Sequence, residues 1–240
     1  MIFRVAMLSA AACSVSANAV ELSENVRLDL GLGVVSDYRS NGVSQSRNNP
    51  SYQVEAVLSH SSGLFIGGSM QRADYGKYFD VYREDFYFAG YSHAFSEDVS
   101  LSAYLGRYEY RHDSAWDATE FYAWANIKKW TIGYIYDYEI DNHVPNLMGF
   151  NVGYNFSLPW EVQLVTTYGV MDLNSDFYTH AGHSRQRYNY YDAKFTRNLA
   201  GLEFSVDFTG SDLSKGECEY LYATDNVCSS TVTVGVKKHF

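Results

Sequence analysis

The feature that most constrains this chain is a two-residue period that runs through nearly all of it. Val26, Leu28, Leu30, Leu32 and Val34 share one parity; Arg27, Asp29, Gly31 and Gly33 share the other. Alternation of this kind marks strands with one apolar and one polar face. It recurs in Tyr52–Leu58, Val99–Leu105, Phe121–Ile127, Trp130–Tyr136, Met148–Phe156, Trp160–Tyr168, Tyr191–Phe195, Leu202–Phe208 and Val232–Phe240. Leu64–Met70 and Val81–Tyr91 follow with less regular parity, which brings the expected count to twelve strands. The connections alternate as well. Short turns (Ser61–Gly63, Ser96–Asp98, Lys128–Lys129, Ser157–Pro159, Asn198–Gly201) are separated by long polar segments (Arg39–Asn49, Arg72–Asp80, Glu109–Ala118, Glu139–Leu147, Val170–Arg187, Thr209–Ser230). A soluble sandwich has no reason to collect every long loop at one end. An all-β, up-and-down antiparallel barrel of the bacterial outer-membrane type does, and closure lets every backbone group pair inside lipid.

Composition excludes other classes. Aromatic residues make up 17% of the chain, with 22 Tyr, far too many for a disordered protein. A formal charge of −10 repels phosphate and argues against nucleic acid as a partner. Beyond the N-terminus no apolar run reaches the ~18 to 20 residues of a membrane helix. The N-terminus itself reads as an address: Arg4, an apolar stretch from Val5 to Val15, and the small-residue pattern Ala17-Asn18-Ala19. That predicts a cleaved signal peptide over 1–19 and a single barrel domain over 20–240. Only Cys218 and Cys228 remain after cleavage, and two cysteines in an exported chain are expected to pair.

Aromatic girdles are expected at both ends. Trp130, Phe156 and Trp160 flank short turns, and Tyr38, Tyr108, Tyr136, Tyr138 and Tyr168 lie near the long-loop ends. The terminal Phe240, closing an alternating-valine strand, is similar to the signal by which such barrels are recognised for insertion, although Lys238 replaces the usual apolar residue. The expected location is therefore the outer membrane of a Gram-negative bacterium, with both termini periplasmic. Outer-membrane lipid, the barrel-assembly machinery, and small solutes or ions are the expected partners.

Three blocks carry a family resemblance. The first is Ser36-Asp37-Tyr38-Arg39-Ser40-Asn41-Gly42-Val43-Ser44-Gln45-Ser46, followed by Pro50 and Gln53. The second is His60-Ser61-Ser62-Gly63-Leu64-Phe65-Ile66-Gly67-Gly68, and the third is the Cys218, Cys228 pair before the last strand. Together they resemble the bacterial Gcw-type family, also labelled TorF-family porins. Asp37, Tyr38, Gly42, Ser44, Gln45, His60 and Gly63 carry the match, while Asn41 stands where the family usually has arginine. The resemblance implies an outer-membrane barrel and leaves the solute open.

Alternation also predicts the lumen. Arg27, Asp29, Gln53, Glu55, Arg83, Asp85, Glu120, Asn126, Asp137, Asn151, Asn155, Glu161, Gln163, Asp192, Lys194, Glu203, Asp207 and Lys237 are expected to face inward. Acids dominate, so the expected function is a narrow passive channel with mild cation preference. Pairing of acids with bases across the bore would instead plug it. Two rival classes share the fold. One is a structural or adhesion barrel acting through its loops. The other is a lipid-acting enzyme, for which His60-Ser61, His112-Asp113-Ser114 and His183-Ser184 are the available pairs. Sequence neighbours do not make a triad, so the chain is read as a non-enzyme with no catalytic residue and no cofactor. His112, His143, His180 and His183 fall in loops without the ligand spacing of a metal site, and none is expected.

Overall fold

The computed structural model describes residues 19–76, 81–138, 140, 145–178 and 182–240. The signal peptide expected over 1–19 lies outside these residues but for its last, and His143 and His180 lie outside them entirely.

Twelve antiparallel strands close into a barrel. In chain order they are β1 (Val26–Val35), β2 (Ser51–His60), β3 (Leu64–Arg72), β4 (Arg83–Ser96), β5 (Val99–Tyr110) and β6 (Ala118–Ile127). The second half comprises β7 (Trp130–Tyr138), β8 (Leu147–Leu158), β9 (Val162–Tyr178), β10 (Ser184–Leu199), β11 (Leu202–Ser211) and β12 (Thr231–His239). Each strand pairs with its chain neighbours, and β1 pairs with both β2 and β12. The closing seam runs from Gly235 opposite Val35 to His239 opposite Gly31. Beyond it the Phe240 amide donates to the Leu30 carbonyl at 3.0 Å. Below that point Val20–Ser23 folds back on Val26–Leu28 and covers the rest of the β1 edge. Among the described residues no long edge is left to template another chain.

The outer surface is a band of aliphatic and aromatic side chains. Leu32, Val34, Ile66, Leu101, Leu105, Phe150, Val206, Phe208 and Val234 are all exposed. A soluble protein does not leave so much contiguous apolar surface in water; lipid is the solvent that accommodates it. At the short-turn end Trp130 and Trp160 are exposed, the latter at 81%. Tyr168 and Tyr191 are exposed towards the other end. Tyr38 and Tyr108, expected in that girdle, are instead buried inside. Nearness to a strand end sets height in the membrane; it does not set which way the pleat turns a ring.

Both faces of β4 are apolar, which explains its irregular pattern. Phe86 and Phe88 are buried inside, whereas Tyr87 and Tyr91 are exposed. Glycines on neighbouring strands make room for the inward rings: a Cβ on Gly106 would meet Phe86 Cζ at 2.3 Å, and one on Gly169 would meet Tyr190 Cζ at 2.3 Å.

A charge on the lipid face should be costly. Val206→Arg, mid-strand on β11 and exposed, is expected to destabilise the barrel by about 2–4 kcal/mol. Urea unfolding in lipid vesicles measures it, with Asp207→Asn on the adjacent inward position as the mild control.

Candidate functional site

The inward face follows from the register, because directly opposed residues point the same way. Glu120 stands opposite Gly106 on β5 and Asp137 on β7. From there the inner face continues through Asn151 and Gly169 to Tyr190, Asp192 and Lys194 on β10. It passes to Asp207 and Glu203 on β11, Lys237 on β12, Gly33 on β1, and Gln53 and Glu55 on β2. Arg27 and Asp29 share the inward parity of β1, as do Asn126 on β6, Asn155 on β8 and Gln163 on β9.

Three expected lumen residues sit elsewhere. Arg83 and Asp85 alternate with the inward Glu84 and Phe86, so they fall on the outer face. There the Arg83 guanidinium meets Asp85 at 2.9 Å and Arg111 Nε meets it at 2.8 Å. Glu161 ends a one-turn 3-10 helix, Pro159–Glu161, in the turn between β8 and β9. The missed residue is Glu84, hidden by the double-sided apolarity of its strand. With it, Asp29, Glu55, Glu84, Glu120, Asp137, Asp192, Glu203 and Asp207 face inward against Arg27, Lys194 and Lys237.

The inside divides into two halves. Towards the short turns the wall is polar and keeps accessible surface. Lys237 pairs with Glu55, His239 lies 4.0 Å from Glu203, and Thr131 Oγ1 donates to Asn126 Oδ1 at 2.9 Å. Towards the long loops the inside is filled. Phe86 stacks on Tyr108 with centroids 4.1 Å apart and on Phe88 at 5.3 Å; Tyr104 stacks on Tyr122 at 5.4 Å. Ile135 on β7, Met171 on β9 and Tyr190 on β10 continue this packing round the wall, each at most 1% exposed. The filling here is thus aromatic and aliphatic, unlike the alternative in which acids and bases pair across the bore.

Two carboxylates are buried in this packing, each 0% exposed. Such groups are tolerated only with donors. Glu84 receives the Tyr38 hydroxyl at 2.9 Å, the Tyr110 hydroxyl at 2.6 Å and the Gln71 amide. Glu120 receives Tyr104 at 2.7 Å and Tyr108 at 3.4 Å.

Tyr38 reaches Glu84 from the first long loop, which folds into the barrel mouth. This is the first motif block, and Asp37, Tyr38 and Ser40–Ser46 are all buried. Asp37 organises it: Ser44 and Ser46 hydroxyls donate to Oδ1, and Arg39 donates to Oδ2 at 3.0 Å. The Ser46 hydroxyl also receives the Tyr38 amide at 2.9 Å. Gln45 accepts the Tyr75 hydroxyl at 3.1 Å, tying in the second long loop. Gly42 has φ +79°, and a Cβ there would meet the Gly210 carbonyl oxygen at 2.3 Å, so the hairpin tip rests on β11 where no side chain fits. Asn41 adopts φ 46°, a left-handed conformation that asparagine tolerates well. Burial, and next the Glu84 charge, raise the Tyr38 hydroxyl well above the ordinary tyrosine pKa, so it stays a donor.

Of the other two blocks, the second forms a short turn at the opposite end of the barrel and the third lies beside the hairpin. His60–Gly63 is the β2–β3 turn: His60 Nδ1 contacts Ser62 Oγ at 2.8 Å, and Gly63 has φ +98° against the Ser92 carbonyl. His112 packs edge-on against Tyr82 with centroids 4.6 Å apart. Cys218 and Cys228 are bridged. Cys218 lies on α1 (Lys215–Tyr222), whose start is closed by a Ser214/Glu217 capping box. Glu217 also takes a two-point contact from Arg185, at 2.7 and 3.0 Å. Among the described residues no group of three or more His, Cys, Asp or Glu side chains could hold a metal.

Comparison with known proteins agrees with this architecture. The family model described as "Bacterial protein of unknown function (Gcw_chp)" matches residues 17–240. The KdgM porin superposes with a TM-score of 0.53 at 9% identity, covering 88% of this chain and 99% of that one. The NanC porin gives 0.52 at 10% identity, covering 88% and 97%. No curated protein matches the sequence. The likeness to the two solved structures is one of fold, a porin-type outer-membrane barrel.

Two outcomes follow. Tyr38→Phe removes one donor from a buried carboxylate and should cost about 1–3 kcal/mol, read by urea unfolding. Burial alone would raise the Glu217 pKa, but the Arg185 and Ser214 hydrogen bonds outweigh it and hold it low. Its contribution is therefore complete above the unfolded value of about 4.3 and drains away as pH falls through the folded value. Protease cleavage within 212–230 should rise in that acidic window, and Glu217→Gln should bring the same susceptibility to neutral pH.

Proposed function

The chain belongs to the Gcw_chp family, and on that footing we propose that it is an outer-membrane channel for small solutes, cations above anions. The observation that carries this reading is the charge of the inner wall. Eight inward carboxylate positions against three inward basic ones leave a negative potential inside a low-dielectric shell, which concentrates cations and repels anions. The TorF-family porin label suggested by the three motif blocks fits it.

Orientation follows the usual economy of such barrels, with short turns in the periplasm and long loops outside. Both chain ends then face the periplasm, from which an exported chain is inserted. The accessible acidic half becomes a periplasmic vestibule, and the packed half, with its inward-folded first loop, a constriction on the outer side. We place the narrow step at the stacked rings of β4–β6, with Asp192, Lys194 and Asp207 on the inner wall of β10–β11. The acidic inner wall favours transport over lipid hydrolysis, since a channel uses such a wall and a hydrolase does not require it. The first and last long loops pack against each other, through Arg39 on Val227 and Ser229, which argues against an open adhesive surface there.

Planar-bilayer recording across a salt gradient tests this. The reversal potential should indicate cation preference, and Asp192→Asn with Asp207→Asn should lower the permeability ratio roughly twofold. Anion selectivity, or no conductance from correctly folded protein, overturns the proposal.

A further inference from the structure

The inward-folded hairpin is held by hydrogen bonds to backbone carbonyls, and those carbonyls cluster around one covalent bond. Arg39, whose side chain is 4% exposed, donates to the carbonyls of Val227 at 3.0 Å and Ser229 at 2.8 Å. The Ser44 amide donates to Val227 as well, at 2.8 Å. Val227 and Ser229 flank Cys228, and Cys228 is joined to Cys218 on α1. Segment 223–230 contains no strand or helix. Apart from the bridge, it is tied to the barrel by contacts such as the Ser211 hydroxyl on the Cys228 carbonyl at 3.2 Å. Helix α1 is firmly seated: Leu221 is buried, and Glu217 is gripped by Arg185 of β10.

We propose that the Cys218–Cys228 bridge is the latch of the lumen plug. It carries the fixed position of α1 to the two carbonyls that grip Arg39, and Arg39 with Asp37 holds Tyr38 on Glu84. Arg39 is a positioning residue in this arrangement, since it touches both the latch and the core of the hairpin. Both sulfurs belong to buried residues, Cys218 at 0% and Cys228 at 2%. The latch is therefore a standing restraint, not a bond exposed for exchange. An eight-residue helix and an irregular segment are individually marginal, so the restraint sets how often the plug leaves its seat.

The test reads plug position directly and does not depend on conduction. Thr209 faces inward opposite Asp192 and is buried next to Gly210, the seat of the hairpin tip. Thr209→Cys in the assembled barrel is challenged with a small cationic methanethiosulfonate. Labelling should be slow with the bridge intact. It should accelerate at least about tenfold when Cys218→Ser and Cys228→Ser are added, and again when Arg39→Ala is added to the bridged protein. Heat-modifiable migration on a detergent gel reports that each barrel is folded. Should the double serine variant fail to fold, Arg39→Ala carries the test alone. Unchanged labelling in folded variants overturns the latch. Faster labelling in folded barrels that show no bilayer conductance keeps the latch and overturns the channel reading instead.

Discussion

Everything in this molecule depends on closure of the backbone hydrogen-bond ladder. In hydrocarbon no water replaces a missing partner, so a sheet that must sit in lipid cannot keep an edge. Here the ladder closes between β12 and β1, is extended by the Phe240 amide, and is completed by Val20–Ser23 on the remaining length of β1. Once the ring is shut, pleat alternation becomes a sorting rule. One parity meets lipid and must be apolar; the other meets the inside and is free to vary.

That freedom is used unevenly. The short-turn half keeps a polar, accessible wall. The loop half is filled, with stacked rings around two buried carboxylates. The carboxylates are tolerated because tyrosine hydroxyls supply their hydrogen bonds, and one of those hydroxyls comes from a loop. Seating Tyr38 on Glu84 therefore couples the first loop to the barrel wall. The last loop secures the first through Arg39, and a disulfide secures the last loop. The three motif blocks thus have physical roles: a hairpin plug, a tight turn, and the covalent tie beside the plug.

Strand count and the alternation of short and long connections were legible in the sequence, because a lipid-facing strand has to advertise its parity. Legibility failed where the inner face was apolar too. On β4 both parities carry rings, so Arg83 and Asp85 read as lumen residues while Glu84 passed unnoticed. Glu161 failed for a different reason: Trp160 and Glu161 leave the strand path in a left-handed turn, and parity does not continue through a turn. Tyr38 and Tyr108 were legible in height alone.

The sequence by itself therefore determined the class of solvent, the barrel and its strand number, since each is a sum over many residues under one local rule. The tertiary structure decided the rest. Whether a long loop lies outside or folds in depends on contacts between residues far apart in the chain, such as Arg39 with Val227 and Tyr38 with Glu84. No periodicity encodes such pairs; they exist because closing the barrel brings the ends of its loops together over one small mouth.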